Sequence, residues 1–151
     1  MENLRILNKK EITRILEKIK EQYGITKFDF DYGMLQHKDG KIFIITKDIN
    51  KIDLNKLRIN NLGLYVINLS KELRLSIEGS QIFGLYAKKN VHEINEEESY
   101  SWLNGNDLTC NKEYDGFVII KFKDNYLGSG KYKDSKIMNY IPKERRIKLK
   151  D

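Results

Sequence analysis

Cysteine, proline and histidine are nearly absent from the chain. The single cysteine, Cys110, excludes an internal disulfide, and with only His37 and His92 beside it there is no ligand set of the structural-zinc kind. The single proline and the absence of any low-complexity tract argue against disorder. No run approaches the 18 apolar residues of a membrane span, and Met1-Glu2-Asn3-Leu4 does not begin a secretory signal. A cytoplasmic, globular protein with no membrane association is the expectation, and the sequon Asn68-Leu69-Ser70 then reads as chance.

Catalytic constellations are equally scarce. The one nucleotide-loop lookalike, Gly128-Ser129-Gly130-Lys131, has Asn125 where a phosphate-cradling loop needs its first glycine and Tyr132 where it needs a hydroxyl next to the lysine. Its glycines read instead as a structural turn or a close approach between strands. Thr109-Cys110 has no glycine-rich cofactor loop before it, so the thiol is read as structural. His92 lacks a second ligand and reads as a boundary histidine. Glu96, Glu97 and Glu98 are consecutive, fan around a helix and match its dipole rather than forming a carboxylate pair. No cofactor, no metal and no enzymatic activity are expected.

What the chain does have is positive charge, unevenly placed. The net charge is +6 over 151 residues. Residues 121–150 hold ten basic side chains against three acidic, net +7, and the remainder of the chain is net −1. Such an asymmetry suits a surface that meets phosphates, and Tyr126, Tyr132 and Tyr140 lie among these lysines and arginines as candidate stacking groups.

Hydrophobic spacing outlines the elements. Ile12, Ile15, Leu16 and Ile19 predict an amphipathic helix over 9–22 ended by Gly24. Phe28–Leu35 and Lys41–Thr46 predict a hairpin turning at Asp39-Gly40. Residues 49–59 fit either a short strand pair or a helical turn. Residues 62–67 predict a buried strand, and the domain boundary is placed at its start. Residues 80–86 predict a short helix, and Asn95 with Glu98 predicts a capping box opening a helix that ends at Asn104-Gly105. The remainder predicts short strands over 116–122, 126–132, 137–140 and 145–149, a small mixed barrel.

Taken as a string, Gly63-Leu64-Tyr65, Ile77-Glu78-Gly79-Ser80, Val91-His92-Glu93-Ile94, Glu96 through Gly105, Asp115 through Ile120, Leu127 through Lys131 and Met138 through Arg146 follow the order seen in PUA-like RNA-binding domains. The chain resembles the version at the C-terminus of Nop/Sun-type RNA cytosine-5 methyltransferases, and small stand-alone archaeal proteins built on that module. The resemblance spans about residues 62–148. It implies an α+β chain in which a small α/β domain, 1–61, precedes a PUA-like mixed β pseudo-barrel, 62–151. Implied RNA contacts are Lys131, Asn139, Tyr140, Lys143, Arg145 and Arg146, with Gly128 and Gly130 shaping a turn. Ser129 stands where the family has an aromatic residue.

The function expected from this is non-catalytic gripping of structured ribosomal or transfer RNA, in ribosome biogenesis or RNA modification. A protein partner, such as an RNA-modifying enzyme or a pre-ribosomal particle, belongs to the same expectation. The alternatives are a protein-interaction module or the targeting subunit of a separate RNA methyltransferase, and an RNA-modifying enzyme whose site the sequence does not reveal.

Overall fold

A computed structural model describes residues 3–45 and 63–147. The segment 49–59, with its two expected conformations, lies outside the described residues.

The chain opens with strand β1 (Leu4–Ile6) and helix α1 (Lys9–Tyr23). Asn8 caps α1 by accepting from the Glu11 N–H, while Glu11 returns a carboxylate to the Asn8 N–H. Gly24 closes the helix in the left-handed region at φ 63°. Both ends are therefore satisfied locally. Burial of Ile15, Ile19 and Tyr23 then fixes which face turns inward.

Strands β2 (Gly33–His37) and β3 (Lys41–Ile45) form the expected hairpin, with Gly40 at φ 98° in its turn. Strand β4 (Leu64–Asn68) pairs with β3, and β5 (Arg74–Leu75) pairs with β4, which completes an antiparallel sheet in the order β1-β2-β3-β4-β5. The strand that the sequence placed at the head of a second domain is thus the fourth strand of the first sheet. The changeover between sheets falls between Leu75 and Val91.

Helix α2 (Ile77–Phe83) and a 3-10 turn (Gly84–Tyr86) bridge that changeover. The helix begins three residues before the expected segment because the Ser76 hydroxyl caps it, accepting from the Gly79 N–H at 2.9 Å. A side chain at Gly79 would strike the Val66 carbonyl, so its absence lets α2 lie directly on β4.

The second sheet runs β6 (Val91–Glu93), β8 (Phe117–Phe122), β9 (Asn125–Lys133), β10 (Lys136–Asn139), β7 (Leu108–Thr109), with β6 parallel to β8 and the other pairs antiparallel. It curls into a half-barrel, giving an α+β architecture. Helix α3 (Glu96–Leu103) has the expected Asn95–Glu98 capping box and ends at Asn104. It is anchored by the fully buried Trp102, whose indole N–H donates to the Leu127 carbonyl at 2.7 Å.

Two expectations are corrected here. Of the two readings of Gly128 and Gly130 the turn is not found, since both lie within β9, the strand expected over 126–132, and the close approach is. The β8–β9 register shifts between Ile119 and Lys121, and Gly128 at φ 91° sits in the irregularity, a conformation that L side chains rarely adopt. Gly130 is where β9 passes closest to the Met138 carbonyl and the Trp102 ring. The second correction concerns the strand expected over 145–149. Arg145 ends a 3-10 turn (Lys143–Arg145) that Pro142 initiates, its N–H bonding back to the Pro142 carbonyl. Arg146 and Ile147 are not in a strand, and 148–149 lie outside the described residues.

The cores show how closely the halves are joined. One contains Ile15, Ile19, Tyr23, Met34, Ile42 and Ile67 together with Ile119 of β8; the other gathers Trp102, Leu108, Cys110, Val118, Ile120, Ile137 and Ile141. Successive residues of β8 therefore enter different cores, as the two-residue period of a strand dictates.

Candidate nucleic-acid interface

Where the open side of β3–β5 meets β9 and the segment after β10, the surface folds into a cleft of about 320 Å³. Lys41, Tyr65 and Arg74 reach it from the first sheet; Tyr140 and Arg145 reach it from beyond the second. A neighbouring cavity of about 280 Å³ shares Asn68, Arg74 and Tyr140 with the first and adds Lys71, Glu72, Phe117 and Lys131. Five cationic side chains line the two cavities, against the carboxylates of Glu72 and Glu144.

The aromatic rings are held from behind. Tyr140, 37% exposed, meets the Phe117 ring edge-on at 5.0 Å, and the Arg74 guanidinium lies 5.1 Å from its centroid. Tyr65 leans on Phe43 at 5.8 Å, with the Lys41 ammonium 5.7 Å from its ring. A cation beside a π face is attracted by the ring quadrupole, which favours both pairs; the Lys41 ammonium also lies 3.8 Å from the Asp39 carboxylate.

Three of the cations carry internal carboxylate partners, Lys41 with Asp39 being the loosest pair. The Arg145 guanidinium donates to Glu78 at 2.6 Å and holds that carboxyl below its ordinary range; Lys131 pairs with Glu72, whose hydrogen bond raises the ammonium's pKa. These acids occupy positions that a phosphate oxygen could take.

Of the six residues the sequence nominated, Tyr140 and Arg145 enter the larger cavity and Lys131 the smaller. Lys143 is exposed on the 3-10 turn. Asn139 is turned inward: its amide donates to the Trp102 and Asn106 carbonyls at 2.8 and 3.0 Å, and its oxygen accepts from the Ile141 N–H at 2.8 Å. Arg146 lies across Gly105 and donates to the Ile141 carbonyl at 3.0 Å. Sequence reasoning missed Lys41, Tyr65, Lys71 and Arg74. They lie within residues 1–120, where basic and acidic side chains balance over the stretch as a whole, and only strand pairing assembles them opposite the C-terminal segment.

Among the described residues, Cys110 and His92 lie away from the cleft and pack against their neighbours. The Cys110 thiol is buried and donates to the Lys112 carbonyl at 3.2 Å, 3.9 Å from His92 Nδ1. That nitrogen lies 2.9 Å from the Tyr114 hydroxyl, and burial pushes the His92 pKa down. Among the described residues no group of three His, Cys, Asp or Glu side chains could hold a metal ion, and no helix is long and apolar enough to cross a membrane.

Residues 89–147 match the family described as the methyltransferase RsmF PUA domain. They form a PUA-like domain. Its likeness is to the C-terminal domains of Sun-type methyltransferases, in keeping with the order of motifs in the sequence. Two curated relatives are similar over 137 residues: the ribosomal RNA small subunit methyltransferase F of Aeromonas salmonicida (strain A449), 24% identical, and that of Aeromonas hydrophila subsp. hydrophila, 25% identical. Each alignment covers 89% of this chain and 28% of the relative. The chain thus spans little more than a quarter of the length of these bacterial proteins. Within the PUA-like domain, α3, β8, β9 and β10 carry the curled sheet, whereas half of the cleft wall belongs to residues that precede it.

Proposed function

We propose that this chain binds structured RNA in the service of ribosomal RNA modification and leaves the chemistry to another polypeptide or domain. The observation carrying this reading is the convergence of Lys41, Lys71, Arg74, Lys131 and Arg145 with the rings of Tyr65 and Tyr140 on one cleft. Cations supply affinity for the phosphate backbone, and rings supply sequence-tolerant stacking. The likeness to ribosomal RNA methyltransferases points to ribosomal RNA ahead of transfer RNA. Lys143, exposed beside the cleft, extends the same positive surface.

The test is an affinity series with small-subunit rRNA fragments at increasing salt. Neutralising roughly four to six phosphates of unpaired strand gives a log-log slope of about −3 to −4. A slope near zero, or no binding at low salt, overturns the reading. Calorimetry with S-adenosylmethionine addresses the non-catalytic part: no heat of binding is expected, and saturable binding refutes it.

A second reading, in which the N-terminal half also docks a protein such as a companion methyltransferase, is favoured by one surface. Phe28, Phe30, Tyr32 and Tyr86 form a chain of ring contacts, and Tyr32, Leu85 and Tyr86 are exposed. Tyr32→Asp with Leu85→Asp should abolish co-elution with the native methyltransferase and leave RNA affinity intact; unchanged co-elution rejects this surface.

A further inference from the structure

We propose that the larger cavity of the cleft receives one unpaired nucleotide of the RNA, a step that deepens the RNA-binding reading and rests on it. Its volume, about 320 Å³, is at the lower end of the roughly 300–1,000 Å³ of small-ligand pockets. That is room for one base with its sugar and not for a helix.

The walls have the chemistry such a guest requires. Tyr140 is a braced, partly open ring, and the guanidinium beside it is itself a planar stacking surface, so a base finds a platform whichever of the two it covers. Tyr65 and Lys41 stand on the first-sheet side of the same cavity, and Arg145 on the side of the C-terminal segment. A phosphate at the mouth is thereby met by cations from two separate parts of the chain. The floor is built from Ser76, Ile77 and the strand backbone at Gly128 and Ser129. It is fixed: the buried Ser129 hydroxyl donates to the Leu75 carbonyl at 2.7 Å, and the Gly128 N–H donates to Ser80 at 3.0 Å. The Ser129 hydroxyl thereby ties the two sheets together beneath the cavity.

A base already stacked in a duplex reaches such a cavity only by leaving its helix, which takes a few kcal/mol. Loops and bulges, whose bases are already free, are the substrate class selected.

The probes are an RNA stem-loop with a single-stranded adenosine loop and a blunt RNA duplex of equal length, both fluorescently labelled and titrated against the full chain. The wild-type protein should bind the stem-loop about tenfold more tightly than the duplex. Tyr140→Leu should remove about tenfold of stem-loop affinity and leave duplex affinity unchanged, and Tyr140→Phe should retain both. Lys41→Ala, an exposed side chain outside either core, gives a second readout should Tyr140→Leu fail to fold: a loss of about two- to fivefold on the stem-loop. Equal wild-type affinity for the two probes overturns the nucleotide subsite while leaving RNA binding in place. So does wild-type stem-loop affinity in Lys41→Ala or in a folded Tyr140→Leu. Failure to bind either probe brings down both readings.

Discussion

Replacing Glu78 by glutamine should tighten RNA binding. In the free protein Arg145 donates to Glu78 at 2.6 Å, with the two side chains 45% and 23% exposed, so RNA phosphate must compete with a carboxylate already in place. A pair this open to solvent is worth about 0.2–1 kcal/mol, and removing the competitor returns that amount to binding, roughly a one-and-a-half- to fivefold gain in affinity. If the released guanidinium then neutralises one more phosphate, the log-log salt slope steepens by about 0.7 for unpaired RNA. Glu17→Gln on α1 removes the same unit of charge away from the cleft and separates this local effect from the general one. The assay is anisotropy titration of both variants from low to moderate salt. Equal gains in the two variants, or an unchanged slope in Glu78→Gln, would refute the idea that Glu78 stands in a phosphate position. The carboxyl's pKa is depressed in the folded state, so its contribution to stability is fully present above the ordinary carboxylate pKa. It is lost as pH falls through the lowered value. Any stability difference between Glu78→Gln and wild type should therefore be visible at neutral pH and vanish in acid.

Asn139→Ala removes three internal hydrogen bonds and should lower stability by about 2–3 kcal/mol, read from urea unfolding, with little change in RNA affinity per folded molecule; a selective loss of affinity at unchanged stability would return Asn139 to the interface. Gly130→Ala drives a methyl group into the Met138 carbonyl and the Trp102 ring, and a loss of about 1–3 kcal/mol in thermal unfolding is expected; a neutral result would mean that β9 can slide. Tyr23 is fully buried, with a hydroxyl that finds no hydrogen-bond partner among the described residues and a pKa that burial raises. Tyr23→Phe should stabilise the chain by about 1 kcal/mol, or roughly 2–4 °C in Tm, and destabilisation would reveal a partner for that oxygen.

Several local signals were legible in the sequence. The capping box at Asn95, the stop at Gly24 and the Asp39-Gly40 hairpin turn all depend on residues within a few positions of one another, and each formed where spacing placed it, whereas the Asn8–Glu11 box emerged only in the structure. The Ser76 cap was not read from the sequence; Gly79 lowers helix propensity just after it, and tertiary packing on Val66 outweighs that penalty. The glycines of β9 were open to two readings, turn or close approach, because sequence cannot distinguish a reversal from a strand that must pass close to something. Of the candidate site, the half contributed by Tyr140, Arg145 and Lys131 was readable from charge and motif. Lys41, Tyr65, Lys71 and Arg74 were not, since their meeting with Tyr140 depends on β3, β4 and β5 pairing in one sheet. Asn139 and Arg146 match the motif as well as their neighbours do, and only the hydrogen bonds reveal that they hold the backbone.

Strand β8 sends Ile119 into one core and Val118 and Ile120 into the other, and this bears on what the heritable unit is. A cut at residue 62 would strip β4 of its partner β3 and take Ile15, Ile19, Tyr23, Met34 and Ile42 out of the core that holds Ile119. A fragment beginning there has an open strand edge and an uncovered apolar face, the features that favour aggregation. The PUA-like match occupies 89–147, yet the similarity to the Aeromonas proteins runs over 137 residues. A cassette that could be grafted onto another enzyme, or lost from one, would then be the pair of sheets moving together, and the fusion junctions that preserve folding would lie outside both.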